Sequence, residues 1–297
     1  MQRLLGMALA LLSAPGAGSL WAQDHEGHGH EPKSVPEKAA LQPLVLELGV
    51  FALANEGFLL KSGGQSVLID GFVAEPYSVY GSLPPEVLEQ MMGGVAPFVS
   101  VDVALASHYH RDHFQAETAL SFLFAQPDCH FVSSPQVLTA LQNVATELEA
   151  PLPEQQLQEL FPEPGERKRF LKGTLLIEFL HLSHGTGRFA QIQNQGHLIH
   201  INGVTALHVG DAAMVPAHFE PYQLSKRGID VAFVPYWYFD DEDGRTVIQE
   251  HFRPAQLVAC HIPPGELKAV TKRLAESDPK VIVPSKALQE FHIKNLN

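Results

Sequence analysis

The sequence predicts a mixed α/β (α+β) domain in which two sheets pack together with helices outside them. Three observations predict it. Hairpin-like runs come first, buried strands then alternate with helical stretches, and the composition is that of a globular chain. Of 297 residues, 45% are hydrophobic and 18% charged, enough apolar material for a sizeable core in one large domain or two small ones. The net charge of -13, with no long Lys/Arg run, excludes a nucleic-acid-binding surface, which needs clustered cations against phosphates.

The N-terminus carries the pattern of a secretory signal peptide over residues 1–22. Arg3 gives a positive start, Leu4 to Leu12 a short apolar run, and Ala14 to Ala22 small residues around a cleavage point, with Ala22 favoured over Ser19. The apolar run is short for a membrane span, so no stable membrane insertion is expected once the signal is removed, with an uncleaved N-terminal anchor as the alternative. The expected location is periplasmic or secreted. Residues 23–43 hold Asp24-His25-Glu26-Gly27-His28-Gly29-His30-Glu31 and then a Pro/Lys/Glu stretch, with no apolar periodicity. A disordered His-rich leader is expected there, a solvated linker that binds metal weakly at most. The folded domain is expected over residues 44–297. Its two cysteines, Cys129 and Cys260, could pair in an oxidising compartment, but spacing alone does not decide it.

Leu44 to Leu48, Phe58 to Leu60 and Ser66 to Asp70 are expected strands, joined by turns at Asn55-Glu56-Gly57 and Ser62-Gly63-Gly64. A short helix follows over Pro84 to Met92, with Pro at its opening. Val101 to Ala106 is a buried strand. A helix over His113 to Ala125 turns Phe114, Leu120, Phe122, Leu123 and Phe124 inward. Strand Cys129 to Ser133 and helix Pro135 to Leu148 come next, then a Pro/Glu-rich surface excursion from Pro151 to Arg169. Strands return at Thr174 to Leu182, His197 to Ile201, Val204 to Val209, Ile229 to Val234 and Leu257 to Cys260. A helix over Glu266 to Glu276 and a short strand Val281-Ile282-Val283 complete the set.

Chemistry concentrates at His108-Tyr109-His110-Arg111-Asp112-His113, directly after a buried strand. Residues two apart on an extended chain point the same way, so His108 and His110 can share one metal, while Asp112 and His113 fall where the chain turns toward a helix. Imidazole nitrogens are good ligands for zinc and similar ions. Four such residues in six positions arise by composition only about two times in a thousand chains of this make-up. Further donors stand at later strand ends: His184 (with His181 as a competitor), Asp211 after Gly210, and His261 beside Cys260. Neighbouring strand residues face opposite ways, so only one of Cys260 and His261 can reach the metals, and His261 is the expected one. His208 is expected to be a packed or surface side chain.

His108-x-His110-x-Asp112-His113, then a His, then Gly-Asp, then a final His, resembles the metallo-β-lactamase fold superfamily from about Leu44 to Val283. The resemblance implies a four-layer αβ/βα sandwich with metals at one edge of the two sheets. It implies two divalent ions, zinc first with iron or manganese as alternatives. His108, His110 and His184 would hold one, Asp112, His113 and His261 the other, and Asp211 would bridge them, with Asp70 behind the site. Asp112 and Asp211 are the candidate catalytic residues. The implied reaction is hydrolysis of an ester, lactone, amide or phosphoester bond in a small-molecule substrate by a metal-bound hydroxide. True β-lactamases of the fold lack the Gly-Asp carboxylate, and the His-x-Pro-Gly-His-Thr stretch of glyoxalase-II-like enzymes is absent. The chain is most similar to the branch containing ascorbate-phosphate lactonase. The competing reading is a non-catalytic periplasmic metal buffer that uses the His-rich tail. The aromatic run Pro235-Tyr236-Trp237-Tyr238-Phe239 is either a substrate wall or an internally packed loop. Tyr109 and Arg111 receive no role.

Overall fold

The computed structural model describes residues 46–295. The expected signal peptide and His-rich leader lie outside the described residues.

The first sheet begins with a meander of β1 (Glu47–Ala52), β2 (Phe58–Ser62) and β3 (Gln65–Ile69). The chain then passes through α1 (Pro85–Met92), β4 (Val103–Leu105), α2 (Ala116–Ala125), β5 (His130–Ser133), α3 (Pro135–Glu147) and β6 (Leu157–Glu159). Strands β3 to β6 are parallel, as helical crossovers require. The second sheet is built from the hairpins β7 (Arg167–Lys172), β8 (Leu175–His181), β9 (Gln195–Ile201) and β10 (Val204–His208). The parallel strands β11 (Val231–Pro235) and β12 (Gln256–Cys260) extend it. The short helices α4 (Pro216–Phe219) and α5 (Glu242–Thr246) and the longer α6 (Leu267–Ser277) belong to this half. The last strand, β13 (Glu290–Lys294), returns to the first sheet and pairs with β1, with Val50 opposite Phe291. The sheet orders are β13-β1-β2-β3-β4-β5-β6 and β12-β11-β10-β9-β8-β7.

Alternation along the strands explains the four layers. In β3, Val67 and Ile69 enter the core between the sheets, with Phe233 and Ile199 of the other sheet, while Leu68 enters a separate core under the helices. Val103 and Leu105 of β4 face the inter-sheet core while Ala104 faces the helices. In β11, Val231 and Phe233 point between the sheets and Ala232 and Val234 point outward to Phe219, Tyr238 and Phe252. A strand buried on both faces carries an almost unbroken apolar run, which is why these segments were readable. The order helix–sheet–sheet–helix is the expected αβ/βα sandwich.

Several element expectations need correction. The first strand lies over Glu47–Ala52, later than expected. The excursion Pro151 to Arg169 contains β6 and the start of β7. Both are edge strands with mostly exposed polar side chains, and a charged edge carries no core signal. β13 was missed for a related reason: Glu290, His292 and Lys294 separate its apolar Phe291 and Ile293. The segment 281–283 makes a single bridge, Ile282 to Val258. The helix expected from His113 starts at Ala116, which leaves Asp112 and His113 in the turn before it, and Phe124 is exposed rather than inward. Cys129 and Cys260 are buried free thiols and form no disulfide.

Candidate metal centre

The candidate ligands stand just beyond strand ends of both sheets. The turn after β4 supplies His108 to His113, the segment after β8 supplies His184, and the ends of β10 and β12 lead into Asp211 and His261. Ligand sites form outside the carboxyl ends of strands, where backbones diverge and side chains converge. The structure brings all seven side chains together in two groups.

In the first group, His110 Nδ1 lies 3.0 Å from His108 Nε2 and 3.2 Å from His184 Nε2. In the second, His113 Nε2 is 3.0 Å from His261 Nε2, which is 3.2 Å from Asp112 Oδ2. Asp211 faces both: its Oδ2 is 3.3 Å from His184 Nε2, and its Oδ1 is 3.4 and 3.5 Å from His261 and His113 Nε2. Asp211 Oδ1 is buried and makes no hydrogen bond. Lone pairs that converge this way lack enough protons to satisfy one another, whereas a cation satisfies all of them. Two ligands about 2.0–2.1 Å from a tetrahedral zinc stand roughly 3.3 Å apart, so the spacing fits a metal of that size. His181, the competitor, turns away to the carbonyl of Pro162 at 3.1 Å. Cys260 points to the other side, with Sγ 3.5 Å from Glu56 Oε1.

Behind the donors lies a buried polar layer. Asp70 Oδ2 accepts from His113 Nδ1 at 2.9 Å and from Ser107 Oγ at 2.6 Å, and Asp70 Oδ1 accepts from the Ser107 amide at 2.7 Å. This fixes the His113 tautomer with Nε2 free to bind metal. Ser107 Oγ also contacts His108 Nδ1 at 3.1 Å. Glu56, read from sequence as a turn residue, is buried, with Oε2 unpartnered in hydrogen-bond terms and 3.9 Å from His113 Nδ1. Burial and the nearby Asp211 raise its carboxyl to about 8. His208 is fully packed, with Nε2 3.0 Å from the Glu56 carbonyl.

Electrostatics divides the donors. Burial, reinforced by neighbouring imidazoles, lowers His108 and His110. Burial also opposes charge on His113, but Asp211 and Asp70 outweigh it and raise that imidazole well above its ordinary value. His261 is raised in the same way by Asp211 and Asp112. Asp211 is driven well below the usual carboxylate range by His261 and His113 despite its burial.

Two asparagines that carried no sequence signal hold the loops in place. Asn194 Nδ2 donates to the carbonyls of Leu182 and Val209 at 2.8 and 3.2 Å, and its Oδ1 accepts from the Asp211 amide at 3.1 Å. Asn55 Nδ2 donates to the Asp112 carbonyl at 3.2 Å, while its Oδ1 accepts from the Gly81 amide and its carbonyl from the His261 amide, both at 3.2 Å. Gly210 has φ +55, and a Cβ there would sit 2.5 Å from Asn194 Oδ1, so only glycine fits directly before Asp211. His261 and Asp70 both adopt left-handed backbone, φ 57 and 44, strain of the kind that clusters at functional sites.

A cleft of about 560 Å³ opens over the donors, with His110, Asp112, His184 and Asp211 in its floor. Its walls are Tyr77, Tyr80, Tyr109, Phe189, Ile192 and Arg188. Tyr109 therefore faces the cleft, whereas Arg111 donates to the Glu75 carbonyl at 3.1 Å. The 235–239 run packs on the domain. Tyr238 is buried with its hydroxyl donating to the Ala212 carbonyl at 2.6 Å, and Trp237 sits edge-on to His261 at 5.0 Å.

Residues 66–283 match the family model described as Beta-lactamase superfamily domain, most of the chain. The chain belongs to the β-lactamase superfamily. No curated protein matches the sequence. Among solved structures, the superfamily fold is shared with Igni18, a metallo hydrolase of the archaeon Ignicoccus hospitalis, at TM-score 0.55 and 16% identity, over 83% of this chain and 98% of that one. A possible metal-dependent hydrolase of Veillonella parvula aligns at TM-score 0.56 and 16% identity, over 83% and 99%. The isothiocyanate hydrolase from Delia radicum gut bacteria aligns at 0.52 and 17%, over 82% and 98%. Likeness at this identity concerns the fold. The family assignment, together with the gathered donor groups, makes the chain a metal-dependent hydrolase of unassigned substrate.

Proposed function

We propose that this protein is an exported, binuclear metal-dependent hydrolase acting on an ester, lactone, amide or phosphoester bond of a small molecule. The observation that carries the reading is Asp211, whose two carboxylate oxygens face two different groups of imidazoles. His108, His110 and His184 would hold one ion and Asp112, His113 and His261 the other, with Asp211 shared. Such a pair, when bound, supplies an activated water near neutral pH and polarises a carbonyl or phosphoryl oxygen. The other tasks fall to the chain. Asp211 fixes the spacing of the two positions. Asp70 holds the proton on His113 Nδ1. Asp112, at the cleft floor and kept ionised by His261 and His113 despite burial, orients the attacking water and accepts its proton at a carboxylate oxygen. The aromatic walls seat the apolar part of the substrate. Zinc suits these donors best, and iron and manganese are accepted by the same types. Export rests on the character of residues 1–22.

The test is metal analysis of the purified protein together with a panel of chromogenic esters, lactones, phosphodiesters, amides and β-lactams. About two ions per chain and turnover that Asp211→Ala removes are expected. If wild type and Asp211→Ala hold metal equally and are equally inert across the panel, the metal-buffer reading replaces this one.

A further inference from the structure

We infer that the cleft contains an anion-recognition position at Arg188, and that the substrate therefore carries a carboxylate or phosphoryl group beside an apolar body. The inference rests on the proposed function only in calling the ligand a substrate.

Eight arginines lie among the described residues, and seven of them meet a protein oxygen. Arg167, Arg169 and Arg227 surround Glu178, and Arg273 pairs with Asp240. Arg111, Arg245 and Arg253 donate to the carbonyls of Glu75, Phe239 and Gln249. Arg188 alone has neither a carboxylate nor a carbonyl partner among the described residues. Its guanidinium lies over the ring of Phe189, 4.7 Å from the centroid. That ring is stacked on the candidate ligand His184, with centroids 4.9 Å apart and planes within 3° of parallel. Two ring-steps thus lead from a metal donor to an unpaired cation. Arg188 is also the only Lys or Arg in the wall of the cleft.

The loop that presents Arg188 is tied down. Gln136 at the start of α3 and Gln193 exchange backbone-to-side-chain hydrogen bonds at 2.9 and 2.8 Å, and Gln136 Nε2 donates to the Gln191 carbonyl at 2.6 Å. Gly187, with φ +61, lets the chain curl directly before Arg188. The guanidinium carbon lies over Phe189 and no protein oxygen among the described residues occupies its N–H edge, which is left for a ligand. That edge matches the two oxygens of a carboxylate or phosphoryl group. The phenolic and aliphatic remainder of the wall suits an uncharged body.

The test compares ligands of one shape on the metal-loaded enzyme by calorimetry. Benzoate and phenylphosphonate carry the two anionic groups, and benzamide is the neutral reference. Wild type is expected to bind at least one anion roughly ten-fold more tightly than benzamide. Arg188→Ala should lose about five- to ten-fold for that anion, leave benzamide within two-fold, and keep its metal content and melting temperature. Arg188→Lys should recover part of the loss, and the anion that loses more identifies the group recognised. Equal affinity for anion and amide, or an anion affinity unchanged in Arg188→Ala, overturns the inference. If the panel shows no turnover yet anion affinity still depends on Arg188, the hydrolase reading fails and the anion position stands. Turnover without that dependence gives the reverse.

Discussion

The two halves of the candidate metal centre share Asp211 but are built differently. The half made from His108, His110 and His184 opens on the cleft: His110 and His184 are partly exposed and stand beside Phe189. The half made from Asp112, His113 and His261 is buried and backed by Asp70, Glu56 and His208. The difference teaches that, on the proposed binuclear reading, an ion in the open half would exchange more readily than one in the buried half, which reaches the cleft only through Asp112. Asp211 couples them.

Asp211→Ala removes that coupling and is expected to have the largest effect, a loss of turnover on the order of a thousand-fold or more with both ions weakened, read by kinetics and metal analysis. Asp70→Ala removes the partner of His113 in the buried half and reaches His108 only through Ser107. Removing the partner of a ligating histidine costs about 10–100-fold in metal affinity, so competition with a weak chelator should strip one ion per chain well before the other. Equal release of both ions would erase the distinction between the halves.

The buried side also carries an acid liability. His197, on β9, is fully buried with neither ring nitrogen paired, and burial together with His208 holds it at about 3. The unfolded chain takes that proton near pH 6.5, so between about 6.5 and 3 only the unfolded state is protonated and stability falls as pH falls. His197→Leu should flatten that limb, gaining on the order of 2 kcal/mol at pH 4.5 relative to pH 7 in denaturant titrations. An unchanged acid limb would mean that the liability lies elsewhere. Asn55→Ala is expected to be the mildest change. It removes two hydrogen bonds at the rim of the buried half, costing about 1–2 kcal/mol of stability, with a rise in KM but little change in metal content.

The donors and the layer behind them differ as well in how far the sequence foretold them. The donors were legible because each stands at the end of an apolar strand, where a polar residue needs a reason. Of the backing layer, only Asp70 was legible, through the resemblance. Glu56 sits between Asn55 and Gly57 in what looks like an ordinary surface turn, and only tertiary contacts with His113, His208 of β10 and Cys260 of β12 accompany its burial. Asn194 lies in the polar run Gln191-Ile192-Gln193-Asn194-Gln195, where nothing local separates it from its neighbours. The cleft wall fared likewise. The aromatic run at 235–239 drew attention by its density, yet the exposed tyrosines come from Tyr77 and Tyr109, isolated residues joined by topology alone. Edge strands failed for the opposite reason, since their outward polar residues mask the period that marks a strand.

The pairing of β13 with β1 has a consequence for biosynthesis. Among the described residues, the earliest strand to be translated keeps one flank open until the latest strand arrives, so its sheet is finished only after the elements between them have been made. Contacts this distant along the chain close slowly. A growing chain that cannot complete its sheet stays threadable for longer, a property that fits the export proposed above.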